Sequence, residues 1–203
     1  QMEGSGQSRF SAIPSPAILE RIALALPVVL GIAVLAVLAA KLLLVWRINV
    51  NWDEFFYLSH VHALTRGELE LLMQGAYTHL FRWITALDFQ EVDQIVLLRL
   101  LMWALLVVSA CLLYRLARRF ASPVAAMFAV LSFFASWPVL KHGASFRADS
   151  MLLPLTLAAL MFITRTDSRP LRNDLAAGLC LAIAFVLTTK TVLVLPAVLV
   201  MVL

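Results

Sequence analysis

The sequence predicts an all-α, polytopic membrane protein: a bundle of transmembrane helices with two juxtamembrane, interfacial helices in its first external loop. Of its 203 residues, 63% are hydrophobic and 14% are charged, against roughly 45–50% and about 25% in soluble domains. The mean hydropathy is +0.93, and the apolar residues form long continuous blocks, unlike the alternating strands of a transmembrane barrel. This composition excludes a soluble enzyme and an intrinsically disordered chain.

The apolar blocks predict six membrane-crossing segments. The first block runs from Ile22 to Trp46 with Lys41 as its single charge, which exceeds the ~20 residues that a helix needs to cross a bilayer. We predict spans at about 21–46, 94–116, 121–140, 149–165, 174–189 and 192–203. Residues 1–20 are expected to be a cytoplasmic segment beginning with a tag remnant. The last block stops in mid-run at Leu203, so residues 21–203 are expected to be the N-terminal module of a longer protein.

The basic residues predict the orientation of these spans. Cationic side chains follow the second span at Arg115, Arg118 and Arg119 and the fourth at Arg165, Arg169 and Arg172. The positive-inside rule places both loops in the cytoplasm, which leaves residues 47–93 and the link around 141–149 on the external side. The loop 47–93 contains seven acidic and three basic residues, as expected of an external loop. The basic residues form no stripe along one face, so nucleic acid is not a predicted partner.

The external loop 47–93 is far longer than the usual 2–8 residues of a helix–helix connection and predicts two helices. Asn51 offers an N-cap, and Asp53 and Glu54 follow in the first turn, where negative charge is favoured. The first helix then runs from about Trp52 to Thr65 and is closed by Gly67. The second, at about 68–87, has one polar and one apolar side, which is typical of a helix lying in the membrane interface.

Three residues of the first loop helix could carry chemistry. Asp53, Tyr57 and His60 follow one another at i, i+4 and i+7, so they share one face of the helix. A carboxylate within reach of a hydroxyl proton can act as a general base. The alternative is that Asp53 only favours the helix N-terminus.

The link between the third and fourth spans carries a second group of polar residues on the same side of the membrane: Lys141, His142, Arg147 and Asp149. Asp149 begins a span, so its carboxylate could instead serve only the helix N-terminus.

Lys190 interrupts an otherwise uncharged run from Leu175 to Leu203. Ionisable residues within membrane segments are costly and are functional by default. Eighteen residues of helix after Arg172 rise ~27 Å, which brings Lys190 to the external surface. Snorkelling of its ammonium to the interface is the alternative explanation.

The histidines do not predict a metal site. His60 and His62 point to opposed faces of a helix, and no ligand at zinc-like spacing joins them. A divalent cation, Mg²⁺ or Mn²⁺, held between Asp53 and a substrate phosphate is left open.

Three sequence motifs resemble those of the GT-C membrane glycosyltransferases, which include the protein O-mannosyltransferases and the aminoarabinose transferase of lipid A. Trp52-Asp-Glu-Phe-Phe-Tyr57, directly after the first span, resembles their Asp-Glu-x-x-Tyr signature. Arg147-Ala-Asp149 is similar to their second acidic position. The segment 178–191 with its Thr-Lys ending, followed by Leu-Pro at 195–196, is similar to their Gly-rich helix. Relatives of the aminoarabinose type often have Arg where this chain has Phe56, so another cation would contact the phosphate here.

The resemblance implies an enzyme that transfers a hexosyl or pentosyl unit, with inversion, from a polyprenyl-phosphate donor to a hydroxyl group of an envelope lipid, glycan or protein. It implies an integral, multi-pass protein of the bacterial inner membrane that acts on the extracytoplasmic side. Asp53 is the implied base and Asp149 the second catalytic residue. Substrate-binding roles are expected for Glu54, Tyr57, His60, Arg82, Lys141, Arg147 and Lys190. The competing interpretation is a non-enzymatic membrane protein, a transporter or an assembly or scaffold subunit; a transporter would place its ionisable residues near the bilayer midplane.

Overall fold

The computed structural model describes residues 16–69, 76–165 and 170–202. These residues form nine α-helices and two short 3-10 helices and contain no strand, which confirms the predicted all-α fold. The α-helices are α1 (Pro16–Arg47), α2 (Trp52–Arg66), α3 (Ala76–Phe81), α4 (Glu91–Ala117), α5 (Pro123–Phe134), α6 (Trp137–His142), α7 (Ala148–Ile163), α8 (Pro170–Leu187) and α9 (Leu195–Val202). The 3-10 helices are Arg82–Ala86 and Thr189–Leu193.

Two helices of the described chain are long and apolar enough to cross a bilayer. They are Glu20–Arg47 within α1, with a mean hydropathy of 2.9, and α4, with 2.5. α1 lies at the outside of the bundle, where Leu24 is 72% and Leu43 67% exposed. A contiguous apolar surface of this kind is typical of contact with lipid rather than water. α5 and α7 are shorter apolar helices.

Two groups of buried side chains hold the helices together. The first joins α1, α4 and α5 through Val34, Leu38, Leu106, Ala110, Val130 and Phe134. The second joins the loop helices to α4 and α7; it includes Leu58, Phe81, Ile84, Ile95, Met102, Phe146 and Met151. Each such side chain contributes about 1.5–3 kcal/mol when it is fully buried. The second group therefore fixes the external loop on the end of the bundle.

The bundle has two distinct ends. At one end His62 of α2 lies 2.9 Å from the side-chain oxygen of Gln94, at the start of α4. At the other end Arg119, after α4, donates to the hydroxyl of Thr164, after α7, over 2.6 Å. α4 and α7 therefore begin at the first end, and α8 returns to it. We call this first end the site end.

The first loop helix is as predicted. Asn51 caps α2 with extended backbone, and its N–H donates to Glu54 Oε2 at 3.0 Å, which completes a capping box. Gly67 closes the helix in the left-handed region with φ of 72°, a conformation that glycine adopts without steric cost.

The predicted second loop helix, 68–87, is wrong as a single helix. Residues 70–75 lie outside the described chain, residues 68–69 are not helical, and α3 passes into the 3-10 helix Arg82–Ala86. Phe81 and Ile84 are both buried, and the 3-10 geometry aligns residues three apart on one side. Leu80 and Trp83 are about half exposed, whereas the polar residue Thr78 is buried.

The predicted third span, 121–140, is also wrong as a single helix. α5 ends at Phe134, and the separate α6 begins at Trp137 with Pro138 in its first turn. Proline has no N–H and its ring clashes with the preceding turn, so the helix breaks before it. Lys41 of α1 is buried, and its ammonium donates to the carbonyls of Val139 and of Leu140, the latter at 2.5 Å. The charge within the first span thus holds α6 against α1.

Candidate active site

Three segments that are far apart in the sequence bring ionisable residues together at the site end. Asp53 lies in the first turn of α2. Arg147 is the N-cap of α7, and Asp149 lies in its first turn. Lys190 lies in the 3-10 helix that follows α8, where the Thr188 hydroxyl accepts from its backbone N–H. The site is therefore built from the starts of α2 and α7 and from the segment that follows α8.

These four side chains form a continuous chain of ion pairs, which we call the charged cluster. A guanidinium nitrogen of Arg147 lies 3.0 Å from Asp53 Oδ2, and the other terminal nitrogen lies 3.6 Å from Asp149 Oδ2. The ammonium of Lys190 donates to the same Asp149 oxygen at 2.5 Å. Two carboxylates and two cations balance each other, so the cluster has no net charge.

The charged cluster is accessible to a ligand and incompletely paired. The Asp53 side chain is 43% exposed and that of Lys190 53%. Arg147 Nε and Asp149 Oδ1 are buried and have no hydrogen-bond partner among the described residues. Buried polar atoms without partners are rare and require an explanation. The unpaired donor and acceptor are therefore available to a ligand.

Tyr57 lies one helical turn after Asp53 and borders the charged cluster. Burial raises the pKa of its hydroxyl, and the negative charge of Asp149 acts in the same direction. The phenol therefore stays protonated at neutral pH and can donate a hydrogen bond. Its ring packs edge to face on Tyr77 and Phe146, with centroids at 5.1 and 6.3 Å.

His60 lies on the same face but is engaged one turn away from the charged cluster. Its Nδ1 is 3.1 Å from the hydroxyl of Tyr77, and its ring contacts Phe56 with centroids 4.3 Å apart. Of the three residues predicted to share a face, the structure brings Asp53 and Tyr57 to the cluster and His60 to this aromatic pair.

Glu54 points into the protein, away from the charged cluster. Its two oxygens accept from Nε and Nη2 of Arg99 at 2.8 and 2.5 Å, and Oε1 also accepts from the N–H of Phe146 at 3.1 Å. Burial alone would raise the pKa of Glu54, but the hydrogen bonds and charge of Arg99 outweigh it and lower that pKa below its ordinary value. Glu54 and Arg99 are both almost completely buried.

Arg99 is a residue that the sequence analysis missed. Besides its pair with Glu54, it donates to the carbonyls of Val45 and Ile48 at 3.0 and 2.9 Å, at the end of α1. Arg99 therefore joins α4 to α1 and α2, and Glu54 extends the contact to Phe146, before α7. The available signal was a charge well inside the predicted span 94–116, where ionisable residues are functional by default.

Two further predicted substrate-binding residues, besides Glu54 and His60, lie outside the charged cluster. Arg82 lies exposed in the 3-10 helix after α3, and no contact among described residues joins its side chain to the cluster. Lys141 of α6 is exposed and borders a small cavity of about 30 Å³ beside Lys41 and Arg99.

Two larger cavities, of about 290 Å³ each, flank the site end. The first lies between α4, α6 and α7 and is lined by Leu106, Pro138, Val139, His142, Gly143, Arg147, Asp149, Ser150 and Leu153. The second lies between α3 and α8 and is lined by apolar residues: Ala76, Leu80, Ala182, Ile183, Val186 and Leu187. Leu187, in the lining of this groove, precedes Lys190 by three residues in the chain.

No group of three His, Cys, Asp or Glu side chains suited to a metal ion occurs within the described ranges. His62 pairs with Gln94 instead. Asp53 and Asp149 carry the oxygen ligands that Mg²⁺ prefers, but each already faces a cation. A divalent ion at this place would have to bring a substrate phosphate as a further ligand.

The fold and the site define an all-α membrane protein with a charged site at one end of its helices. The family model of the dolichyl-phosphate-mannose-protein mannosyltransferases matches residues 77–203. The match covers more than half of the chain, and the chain belongs to this family of GT-C glycosyltransferases. The matched range includes Arg147, Asp149 and Lys190 and begins after Asp53. No curated protein and no solved structure matches the sequence.

Proposed function

We propose that this protein transfers a monosaccharide from a polyprenyl-phosphate donor to a hydroxyl group of an envelope lipid, glycan or protein, with inversion at the anomeric carbon. The observation that carries the proposal is the meeting of Asp53, Arg147, Asp149 and Lys190 in one charged cluster. A groove with apolar walls lies between α3 and α8, and its lining residue Leu187 precedes Lys190 by three positions. A donor with a charged head and a lipid tail needs both kinds of surface side by side. Family membership supports sugar transfer.

Asp53 is the proposed general base. Its carboxylate takes the proton of the acceptor hydroxyl, the hydroxyl oxygen bonds to the anomeric carbon, and the bond from that carbon to the phosphate oxygen breaks. The electron pair of the broken bond leaves with the polyprenyl phosphate. Because Asp53 is partly exposed and lies on an anchored helix, an acceptor can reach it while its position stays fixed.

Arg147 and Lys190 are the proposed ligands of the phosphate. The leaving phosphate gains a negative charge in the transition state, and cations aimed at developing charge in a water-poor site are usually the largest source of catalysis. When the phosphate enters, the Arg147 guanidinium binds it in place of part of its contact with Asp53. The Asp53 carboxylate is then available to accept a proton. Asp149 holds the two cations in place, and Tyr57 can donate to the sugar or phosphate.

The proposed location is the extracytoplasmic face of the bacterial inner membrane. The charged cluster lies at the site end, and Arg118, Arg119 and Arg165 lie at the opposite end or just beyond it. The positive-inside rule places that opposite end in the cytoplasm. The groove between α3 and α8 would receive the lipid tail of the donor from the bilayer.

Membranes from cells with and without the protein test the transfer. We expect the polyprenyl-phosphate sugar to accumulate in cells that lack the protein and a sugar-modified acceptor to disappear, both read by mass spectrometry. With donor of known anomeric configuration, NMR of the product should show the opposite configuration. Unchanged lipid-linked sugars, or a product that retains the configuration, would contradict the proposal.

Replacing Lys190→Ala should weaken donor binding. Charge-assisted hydrogen bonds contribute about 1.5–3 kcal/mol, so we expect the Kd for a polyprenyl-phosphate sugar to rise roughly 10- to 100-fold. Titration of the purified protein with polyprenyl-phosphate mannose measures this, and Lys190→Arg should restore most of the affinity. Arg66→Ala is the matched control, because Arg66 is an exposed cation at the same end of the bundle, and its ion pair among the described residues is with Glu68. Equal affinities for Lys190→Ala and wild type would remove Lys190 from the donor site.

A further inference from the structure

The cavity between α4, α6 and α7 has two chemically different parts. Its floor is formed by the apolar side chains of Leu106, Pro138, Val139 and Leu153. Its polar lining includes His142, Arg147 and Asp149, which we call the rim, and Ser150, whose hydroxyl donates to the carbonyl of Ser145. At about 290 Å³ it reaches the lower end of the range of ligand sites, ~300–1,000 Å³. The occupant that matches it has an apolar part and a polar part.

His142 belongs to this rim and has no role so far. It is the last residue of α6 and is half buried, and its ring makes no hydrogen bond to a described residue. Burial lowers the pKa of His142, as do the positive charges of Arg147 and Lys141, so the ring is neutral at pH 7. A neutral imidazole offers one donor and one acceptor.

The rim offers a balanced set of unused hydrogen-bonding atoms. Arg147 Nε is a buried donor without a partner, and Asp149 Oδ1 is a buried acceptor without one, within the part of the chain described. With the imidazole of His142, the rim presents two donors and two acceptors. The charges of Arg147 and Asp149 cancel, so the complementary group is neutral and hydroxylated rather than an anion.

We propose that this cavity binds the acceptor, whose hydroxylated headgroup is carried on an apolar chain, and that His142 determines specificity by hydrogen-bonding a headgroup hydroxyl. The inference rests on the proposed function and specifies its acceptor. Lys190 is not among the residues that line this cavity, and the apolar groove proposed for the donor tail lies between α3 and α8 instead. The donor tail therefore has its own place, and Arg147 and Asp149 stand between the two regions, because they line this cavity and pair with Asp53 and Lys190. An acceptor polypeptide would not need the apolar floor.

A photoreactive alkyl glycoside tests this assignment by binding alone. Dodecyl mannoside with a diazirine in its chain is added to the full chain in vesicles of phosphatidylethanolamine and phosphatidylglycerol, and labelled peptides are mapped by mass spectrometry. We expect labelling within residues 138–153 that unlabelled dodecyl mannoside competes away. Methyl mannoside, polyprenyl phosphate and a Ser/Thr-rich peptide should compete weakly.

Two substitutions of His142 separate hydrogen bonding from packing. His142→Leu keeps an apolar side chain of similar size without hydrogen-bonding atoms, and labelling should fall about tenfold, the equivalent of one buried hydrogen bond. His142→Gln retains a donor and an acceptor and should keep most of the labelling. His79→Gln is the control, because His79 is an exposed histidine on α3 outside the cavity. Binding of polyprenyl-phosphate mannose should be unchanged in all three variants.

Each other result overturns the inference. Competition by polyprenyl phosphate would assign the cavity to the donor, and competition by the peptide would assign it to a polypeptide. Equal labelling of wild type and His142→Leu, or no labelling within 138–153, would remove His142 or the cavity from acceptor binding. The labelling experiments measure binding alone. If they contradict the acceptor assignment, the membrane assay of sugar transfer still tests the proposed function. If sugar transfer is absent in that assay, the proposed function fails whatever the labelling shows.

Discussion

Asp53→Asn is expected to lower the rate of sugar transfer by roughly 10²- to 10⁴-fold, the usual contribution of a general base. The amide keeps the shape of the side chain and still offers an oxygen to Arg147, which lies 3.0 Å away, but it cannot take a proton from the acceptor. Donor binding and the thermal unfolding temperature should stay close to wild type, because the side chain is 43% exposed. Single-turnover transfer from radiolabelled polyprenyl-phosphate mannose measures the effect.

Asp88→Asn is the matched control for this variant. Asp88 is an exposed carboxylate of the same external loop and forms no ion pair with another described residue, so its replacement should leave transfer within about twofold of wild type, as surface changes usually do. If Asp53→Asn transfers sugar as fast as Asp88→Asn, Asp53 is not the base and the charged cluster has another purpose.

Arg99→Leu is expected to destabilise the fold by about 3–5 kcal/mol, because removal of one partner leaves the buried carboxylate of Glu54 unpaired. Arg66→Leu is the control: Arg66 and Glu68 form an ion pair of similar length, 2.7 Å, but both side chains are more than half exposed. Such exposed pairs contribute about 0–1 kcal/mol. Thermal unfolding in detergent, followed by circular dichroism, compares the two. Equal losses would show that burial of the Glu54–Arg99 pair does not matter for stability.

The same pair predicts an acid sensitivity. The pKa of Glu54 is lowered from an ordinary value of 4.5 in the folded protein, so its contribution to stability is complete above that value. The contribution is lost as the pH falls from about 4.5 through the lowered pKa, since protonation then favours the unfolded chain. The unfolding temperature of wild type should therefore fall in this range. Arg99→Leu should show less of this decrease, because Glu54 no longer gains from the charge of Arg99.

Local signals were sufficient to predict much of the fold. The capping sequence at Asn51 and the glycine at 67 gave α2 almost to the residue. The alternation of apolar and polar blocks gave the all-α class. The predictions that were wrong treated long segments as single continuous helices. Pro138 indicates a break in the predicted third span, but a hydropathy averaged over a window does not detect it. The 3-10 turn after α3 depends on packing of Phe81 and Ile84 against α2, which no local pattern encodes.

The meeting of Asp53, Arg147, Asp149 and Lys190 was predictable because the predicted topology puts all four on the same side of the membrane. Their pairing was not: the sequence does not say that Arg147 lies between two carboxylates. Nor could it separate Asp53 from Glu54, since two adjacent acids look equivalent until Arg99, 45 positions further along, is known to be the partner of Glu54.

Asp53 faces the charged cluster and Glu54 faces Arg99, and this difference makes the length of the connection from α1 to α2 critical. Successive residues of an α-helix are rotated by about 100°, so one inserted residue between Ile48 and Asn51 would have to be absorbed by the loop or would turn α2 and carry Asp53 inward. Arg99 donates to the carbonyls of Val45, Ile48 and Asn49 as well as to Glu54. These hydrogen bonds fix the path of the connection. We therefore expect that segment to tolerate substitutions but not changes in chain length.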